Sequence, residues 1–139
     1  MSRGSSTEIV LVLDANIVLP ACASDEGFAM FAHERLVAPP LMWSEARATL
    51  HLGLTRGLVD RESAELSFGR LEECPVSAES PPALGRETWR LADDLGMGRT
   101  YDAEYVALAS LLECRLVTLD ARLRRGAARL GFVIGPGEL

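Results

Sequence analysis

Two short aliphatic runs each end in an aspartate, and this repeated pattern constrains the chain more than any other feature. Ile9-Val10-Leu11-Val12-Leu13 leads into Asp14, and Leu116-Val117-Thr118-Leu119 leads into Asp120. Such short, aliphatic runs read as strands buried on both faces of a parallel sheet. In an open α/β sheet the ligand crevice lies beyond the carboxyl ends of the strands, so acids placed there converge on one point. Two further acids sit in apolar company: Glu45 within Pro40-Leu41-Met42-Trp43-Ser44-Glu45-Ala46, and Asp102 within Tyr101-Asp102-Ala103-Glu104-Tyr105-Val106-Ala107-Leu108-Ala109. Four converging carboxylates without paired cations would bind a hard divalent metal.

The rest of the chain alternates strands with helices. Strands are expected at Ile9 to Leu13, Leu36 to Ala38, Cys74 to Ser77, Arg115 to Leu119 and Phe132 to Ile134. Asp14 or Asn16 can cap a short helix after the first strand, and Gly27 to Arg35 continues it, with Phe28, Phe31 and Ala32 at helical spacing. Pro39-Pro40 opens a long helix to about Thr55, because proline is tolerated in a first turn. Asp60 caps a helix to about Leu71, with Ala64, Leu66, Phe68 and Leu71 as its apolar contacts. Ser80-Pro81-Pro82 starts a helix to Leu95 that Gly96 ends, Thr100 caps another to about Cys114, and Ala121 to Arg129 is helical. The order βαβααβααβαβ predicts a parallel sheet with helices on both faces. At 139 residues and 48% hydrophobic, the chain is expected to be one domain over 1–139, with residues 1–8 as a polar tail.

Composition excludes several chemistries. All fourteen basic residues are arginine, so a P-loop or a Schiff base has no lysine to use. Cys22, Cys74 and Cys114 are odd in number and far apart, and His33 and His51 stand alone, which argues against a zinc site or a disulfide framework. The longest apolar run falls well short of the roughly 20 residues a membrane helix needs, and Met1 to Glu8 is too polar for a signal peptide. No membrane association and a cytoplasmic location are expected. The net charge of −6 argues at first against a nucleic-acid partner, but setting aside four carboxylates for a metal leaves only −2 on the rest.

Each acid also has a plainer role available. Asp14 and Asp120 could be helix N-caps, a use of Asp worth about 1 kcal/mol, and Asp102 would sit in a first helical turn where the macrodipole favours a carboxylate. Glu45 resists such a reading. Leu41, Ala48 and Leu52 lie at i−4, i+3 and i+7 from it and would form the buried stripe of its helix. Glu104 lies about 200° around the helix from Asp102 and is expected to point elsewhere. Asp93 and Asp94 belong to a solvated helix end, and Trp43 and Trp89 to core or interface rather than to base stacking.

Taken together, Leu13-Asp14-Ala15-Asn16, Trp43-Ser44-Glu45-Ala46-Arg47, the block Tyr101 to Ala109 and Thr118-Leu119-Asp120-Ala121-Arg122-Leu123 resemble the PIN-domain family, closely its VapC-type toxin ribonucleases. The resemblance runs from Ile9 to Ile134, and the blocks around Asp102 and Asp120 are its specific parts. It implies a three-layer α/β/α sandwich with a central parallel sheet. It also places Asp14, Glu45, Asp102 and Asp120 in the family's four acidic positions. Arg47 and Thr49 after the glutamate, and the extra acid Glu104, are minor departures from the family pattern.

The implied activity is endonucleolytic cleavage of RNA, as the toxin of a type II toxin–antitoxin pair, with Mg²⁺ or Mn²⁺ as cofactor. Asp14, Asp102 and Asp120 are the expected ligands, with Glu45 a further ligand or the group that orients the attacking water. Asn16 and Thr118 would hold the site from behind. Arg47, Arg99 and Arg122, each two to three residues from a proposed ligand, are candidates for phosphate contacts. The family also implies a homodimer and a cognate antitoxin lying across the acidic groove. A non-catalytic PIN-like module and a metal-dependent DNA nuclease are the competing expectations.

Overall fold

The computed structural model describes residues 8–139 and gives five strands and six α-helices among them. In chain order they are β1 (Val10–Leu13), α1 (Ala15–Ala23), β2 (Arg35–Ala38), α2 (Leu41–Thr55), α3 (Arg61–Glu72), β3 (Val76–Ala78), α4 (Leu84–Leu95), α5 (Tyr101–Leu112), β4 (Arg115–Val117), α6 (Ala121–Gly126) and β5 (Val133–Ile134). Most of the polar tail expected over 1–8 lies outside the described residues.

All strand pairs are parallel and the sheet order is β3-β2-β1-β4-β5. The central strand β1 is buried throughout Leu11, Val12 and Leu13, as its unbroken aliphatic run requires. The chain steps outward from β1 to β3 and then jumps back across to β4. Because parallel crossovers are right-handed, helices on the outward path and helices on the return path fall on opposite faces. Accordingly α1, α2 and α3 pack on one another, whereas α4 packs on α5, and α5 lies against β1 and β4. The result is a three-layer α/β/α sandwich. The order reverses between β1 and β4, so Asp14 and Asp120, which follow those strands, straddle the topological switch point where such sheets bind ligands.

Local signals explain the element boundaries. Asp60 accepts a hydrogen bond from Ser63 N at 2.7 Å and starts α3, and Gly96, at φ 68°, gives α4 its left-handed C-cap. Several expectations shift. The helix expected over Gly27 to Arg35 is a single 3₁₀ turn at Ala29–Phe31, since the stretch is too short and glycine-led to nucleate more. Thr100 precedes α5 without a side-chain cap. The third strand starts two residues later than expected, β4 stops at Val117, and the last helix breaks after Gly126 into a 3₁₀ turn at Ala128–Leu130.

Two helices are rotated from their expected faces. On α2 the buried pair is Met42 and Ala46, while Ala48 and Leu52 are exposed; on α3 Ala64, Ser67 and Leu71 are buried, while Leu66 and Phe68 are exposed. Both buried sets keep the three- and four-residue spacing of a helix stripe. They face α1 and each other, and this leaves the far side of the α2–α3 pair open, apolar residues included.

Candidate active site

Asp14 leaves β1 with its backbone still bonded to the sheet, its N–H donating to Val117 O at 3.1 Å. Its carbonyl starts α1 by accepting from Ile17 N and Val18 N. The side chain makes no capping bond. It turns instead to Thr118, whose hydroxyl donates to Asp14 Oδ2 at 2.8 Å, and to Asn16, whose amide reaches the same oxygen at 3.3 Å. The plain N-cap role therefore fails for Asp14. It holds for Asp120, where Oδ1 accepts from Arg122 N at 2.9 Å and from Leu123 N at 3.2 Å while Oδ2 accepts nothing among the described residues.

Thr118 is fully buried, and its one donor and two acceptor positions are all used: it gives to Asp14 and takes from Asn16 Nδ2 at 3.2 Å and Asp120 N at 3.0 Å. Asn16 Oδ1 takes Leu119 N at 3.0 Å. Asn16 and Thr118 thus tie the ends of β1 and β4 together behind the acids.

Electrostatics links the remaining acids to this pair. Burial raises the Asp14 carboxyl from its ordinary 3.8 to about 6, opposed by the Thr118 hydroxyl and the Asn16 backbone and reinforced by the charges of Glu45 and Asp102. Asp102, in the first turn of α5, is raised by burial and then by Asp120, with Arg122 pulling the other way. Glu45 reaches in from α2, and its Oε1 accepts a hydrogen bond from the phenol of Tyr105 at 2.5 Å. Burial first, then that bond and the Asp14 charge, push the Tyr105 pKa far above its usual range, so it remains a donor. The Glu104 carboxyl is raised by burial first and then by the charge of Glu45, and Glu104 lines neither of the clefts beside the acids.

The arginines divide. Arg99 and Arg122 line a cleft of about 630 Å³ together with Asp102 and Asp120. Neither forms an ion pair among the described residues. Arg47 does not join them. Two residues past Glu45 on a helix is more than half a turn away, and it lies instead in the α2–α3 groove beside Glu72, at 3.7 Å. On the opposite side of the acids from Arg99 and Arg122, Asn16 and Glu45 border a second, mostly apolar cleft of about 700 Å³ that includes Leu19, Ala46 and Leu50. Trp43 is partly buried against the core and Trp89 is exposed, and neither lines these clefts.

The donor chemistry fits a hard divalent cation. Asp14, Glu45, Asp102 and Asp120 offer only oxygen, none is paired with a cation among the described residues, and burial raises the carboxyls of Asp14 and Asp102. Among the described residues no three His, Cys, Asp or Glu side chains converge tightly enough to hold an ion by themselves.

The raised Asp14 pKa predicts an unusual pH dependence for the metal-free protein. A carboxyl whose folded pKa lies above its unfolded value binds its proton more tightly when folded. Stability should therefore fall as pH rises from 3.8 to about 6 and stay lower above it, by about 3 kcal/mol if the whole shift is realised. Asp14→Asn removes this charge, so urea unfolding in EDTA at pH 7 should show the variant more stable than the native chain. A less stable variant would contradict the assigned strain.

Comparison with known proteins agrees with this geometry. The PIN domain family profile matches residues 11–129. Over 132 residues the chain is 35% identical to VapC ribonuclease Mb0985 of Mycobacterium bovis and to ribonuclease VapC9 of Mycobacterium tuberculosis, covering 91% of this chain and 99% of each relative. The crystal structure of PAE2754 from Pyrobaculum aerophilum superposes with a TM-score of 0.74 at 25% identity, covering 95% of this chain and 94% of that one. With its fold, its acids at the switch point and its relatives in agreement, the chain belongs to the PIN-domain family, among the VapC-type proteins.

Proposed function

We propose that the protein is a Mg²⁺- or Mn²⁺-dependent endoribonuclease and the toxin of a type II toxin–antitoxin pair. The observation that carries this reading is the set of carboxylates at the β1–β4 switch point that form no ion pair among the described residues, in a chain 35% identical to two VapC ribonucleases. Asp14, Asp102 and Asp120 would hold the ion directly or through its waters, with Glu45 as a further ligand or as the acceptor that orients the attacking water. When bound, the cation lowers the pKa of a water and offsets the negative charge that builds on the phosphate during cleavage. Asn16 and Thr118 hold Asp14 and the Leu119–Asp120 backbone in register. Arg99 and Arg122 stand beside the acids and are free to take RNA phosphates, bidentately where the guanidinium plane allows.

This arrangement also explains how an acidic protein binds a polyanion. The two unpaired guanidiniums and the metal charge act locally, where the net charge of −6 does not. The antitoxin would cover the same acids and the apolar cleft beside Glu45, and the active form would be a homodimer. Among the described residues no helix is long and apolar enough to cross a membrane, in keeping with a cytoplasmic enzyme meeting RNA in single-stranded loops.

The direct test is cleavage of total RNA by antitoxin-free protein with Mg²⁺ or Mn²⁺, mapping new 5′ ends, with matched DNA alongside. Asp14→Asn, Asp102→Asn and Asp120→Asn should each remove most cleavage while the circular dichroism spectrum stays native; Asn at 120 retains the cap of α6. Full activity in Asp14→Asn, or cleavage of DNA alone, would overturn the reading.

A second test uses salt. In an Asp102→Asn background with Ca²⁺, Arg99→Ala or Arg122→Ala should weaken RNA binding and reduce the slope of log affinity against log salt by about 0.7 to 0.9 per lost contact. Arg47→Ala, on the far side of α2, should leave the slope unchanged. Equal slopes for all three variants would remove Arg99 and Arg122 from the RNA path.

A further inference from the structure

Of the four acids, Glu45 is held by a single side-chain hydrogen bond among the described residues. Asp14 is clasped by Thr118 and Asn16, Asp120 by the backbone of α6, and Asp102 sits on α5, which packs against β1 and β4. Glu45 instead extends from the half-buried face of α2, a helix that packs mainly on α1 and α3. A long, flexible carboxylate free to swing into water would leave the site unless something retained it.

The Tyr105 hydroxyl is the group that can do so. Tyr105 is 0% exposed, three residues after Asp102 and so about 60° from it around α5. One face of α5 therefore supplies Asp102 directly and also reaches across to Glu45. The phenol–Glu45 contact is the single hydrogen bond between α5 and α2 among the described residues, and the single one that Glu45 accepts there. It occupies Oε1 and leaves Oε2 without a protein donor among the described residues. At 2.5 Å to a carboxylate it belongs to the strong, charge-assisted class.

We propose that Tyr105 is a positioning residue, whose hydroxyl holds Glu45 in the crevice and thereby completes the metal-binding set. This inference rests on the metal-dependent reading of the crevice, but it can be tested without cleavage. Tyr105→Phe keeps the buried ring and removes only the tether.

The deciding measurement is Mn²⁺ binding by calorimetry in a double-mutant cycle of Tyr105→Phe and Glu45→Gln, with melting curves to confirm folding. Tyr105→Phe should weaken Mn²⁺ binding about 10-fold in the native background, the scale on which outer-shell partners of metal ligands act. In the Glu45→Gln background it should cause no further weakening, because the residue acts only through Glu45. RNA cleavage by Tyr105→Phe should lose kcat with KM unchanged. Glu45→Asp offers a second approach that leaves Tyr105 in place: one methylene shorter, it keeps the charge but cannot reach the phenol, and it should bind Mn²⁺ as weakly as Tyr105→Phe. Unchanged Mn²⁺ affinity in Tyr105→Phe, equal weakening in both backgrounds, or native affinity in Glu45→Asp would overturn the proposal. If the native protein binds Mn²⁺ but cleaves no RNA, the ribonuclease reading fails and the binding cycle still decides the role of Tyr105.

Discussion

The hydroxyl of Thr118 joins the sheet to the site. It is fully buried at the end of β4, and its bonds to Asp14, Asn16 and the Asp120 N–H make the two switch-point strands end as one unit. A buried hydroxyl left unpaired is costly, so complete satisfaction here fixes a single arrangement. Had Asp14 capped α1 in the ordinary way, its carboxylate would have been spent on backbone N–H groups. Thr118 and Asn16 turn it aside instead, and its carboxylate feels the charges of Glu45 and Asp102.

That arrangement opposes the stability of the empty protein. Burial and neighbouring charge lift the Asp14 and Asp102 carboxyls toward their neutral forms, which is the signature of acids crowded together for a purpose other than folding. Asp14 is held by hydrogen bonds rather than by a cation, and the guanidiniums of Arg99 and Arg122 line the cleft of Asp102 and Asp120 without forming an ion pair among the described residues. Positive charge from a metal and negative charge from a phosphate backbone would satisfy the two sets separately.

Much of this was legible in the chain. Short apolar runs ending in aspartate marked the central strands, and the helices between strands implied parallel pairing, while the order of the strands in the sheet came from the structure. Asp14, Glu45, Asp102 and Asp120 could be named because each breaks an apolar context, and Asn16 and Thr118 because they sit beside two of them. Helix rotation was less visible. Alternating apolar residues on α2 and α3 left two possible stripes, and packing on α1 chose Met42–Ala46 and Ala64–Ser67–Leu71. The same rotation carried Arg47 to the α2–α3 groove. Tyr105 went unnoticed because its ring satisfies the core pattern of α5, and its hydroxyl acquires meaning only from α2, sixty residues away. Its place one turn from Asp102 was the signal available.

The placement of a divalent ion among these acids is tested most directly by anomalous diffraction from crystals grown with Mn²⁺. Manganese scattering should appear in the crevice bounded by Asp14, Asp102 and Asp120, with Glu45 at its edge, and should vanish in crystals of Asp14→Asn. Manganese bound elsewhere on the surface, with the crevice empty at concentrations that saturate binding in solution, would contradict the assignment of these four carboxylates as the metal site.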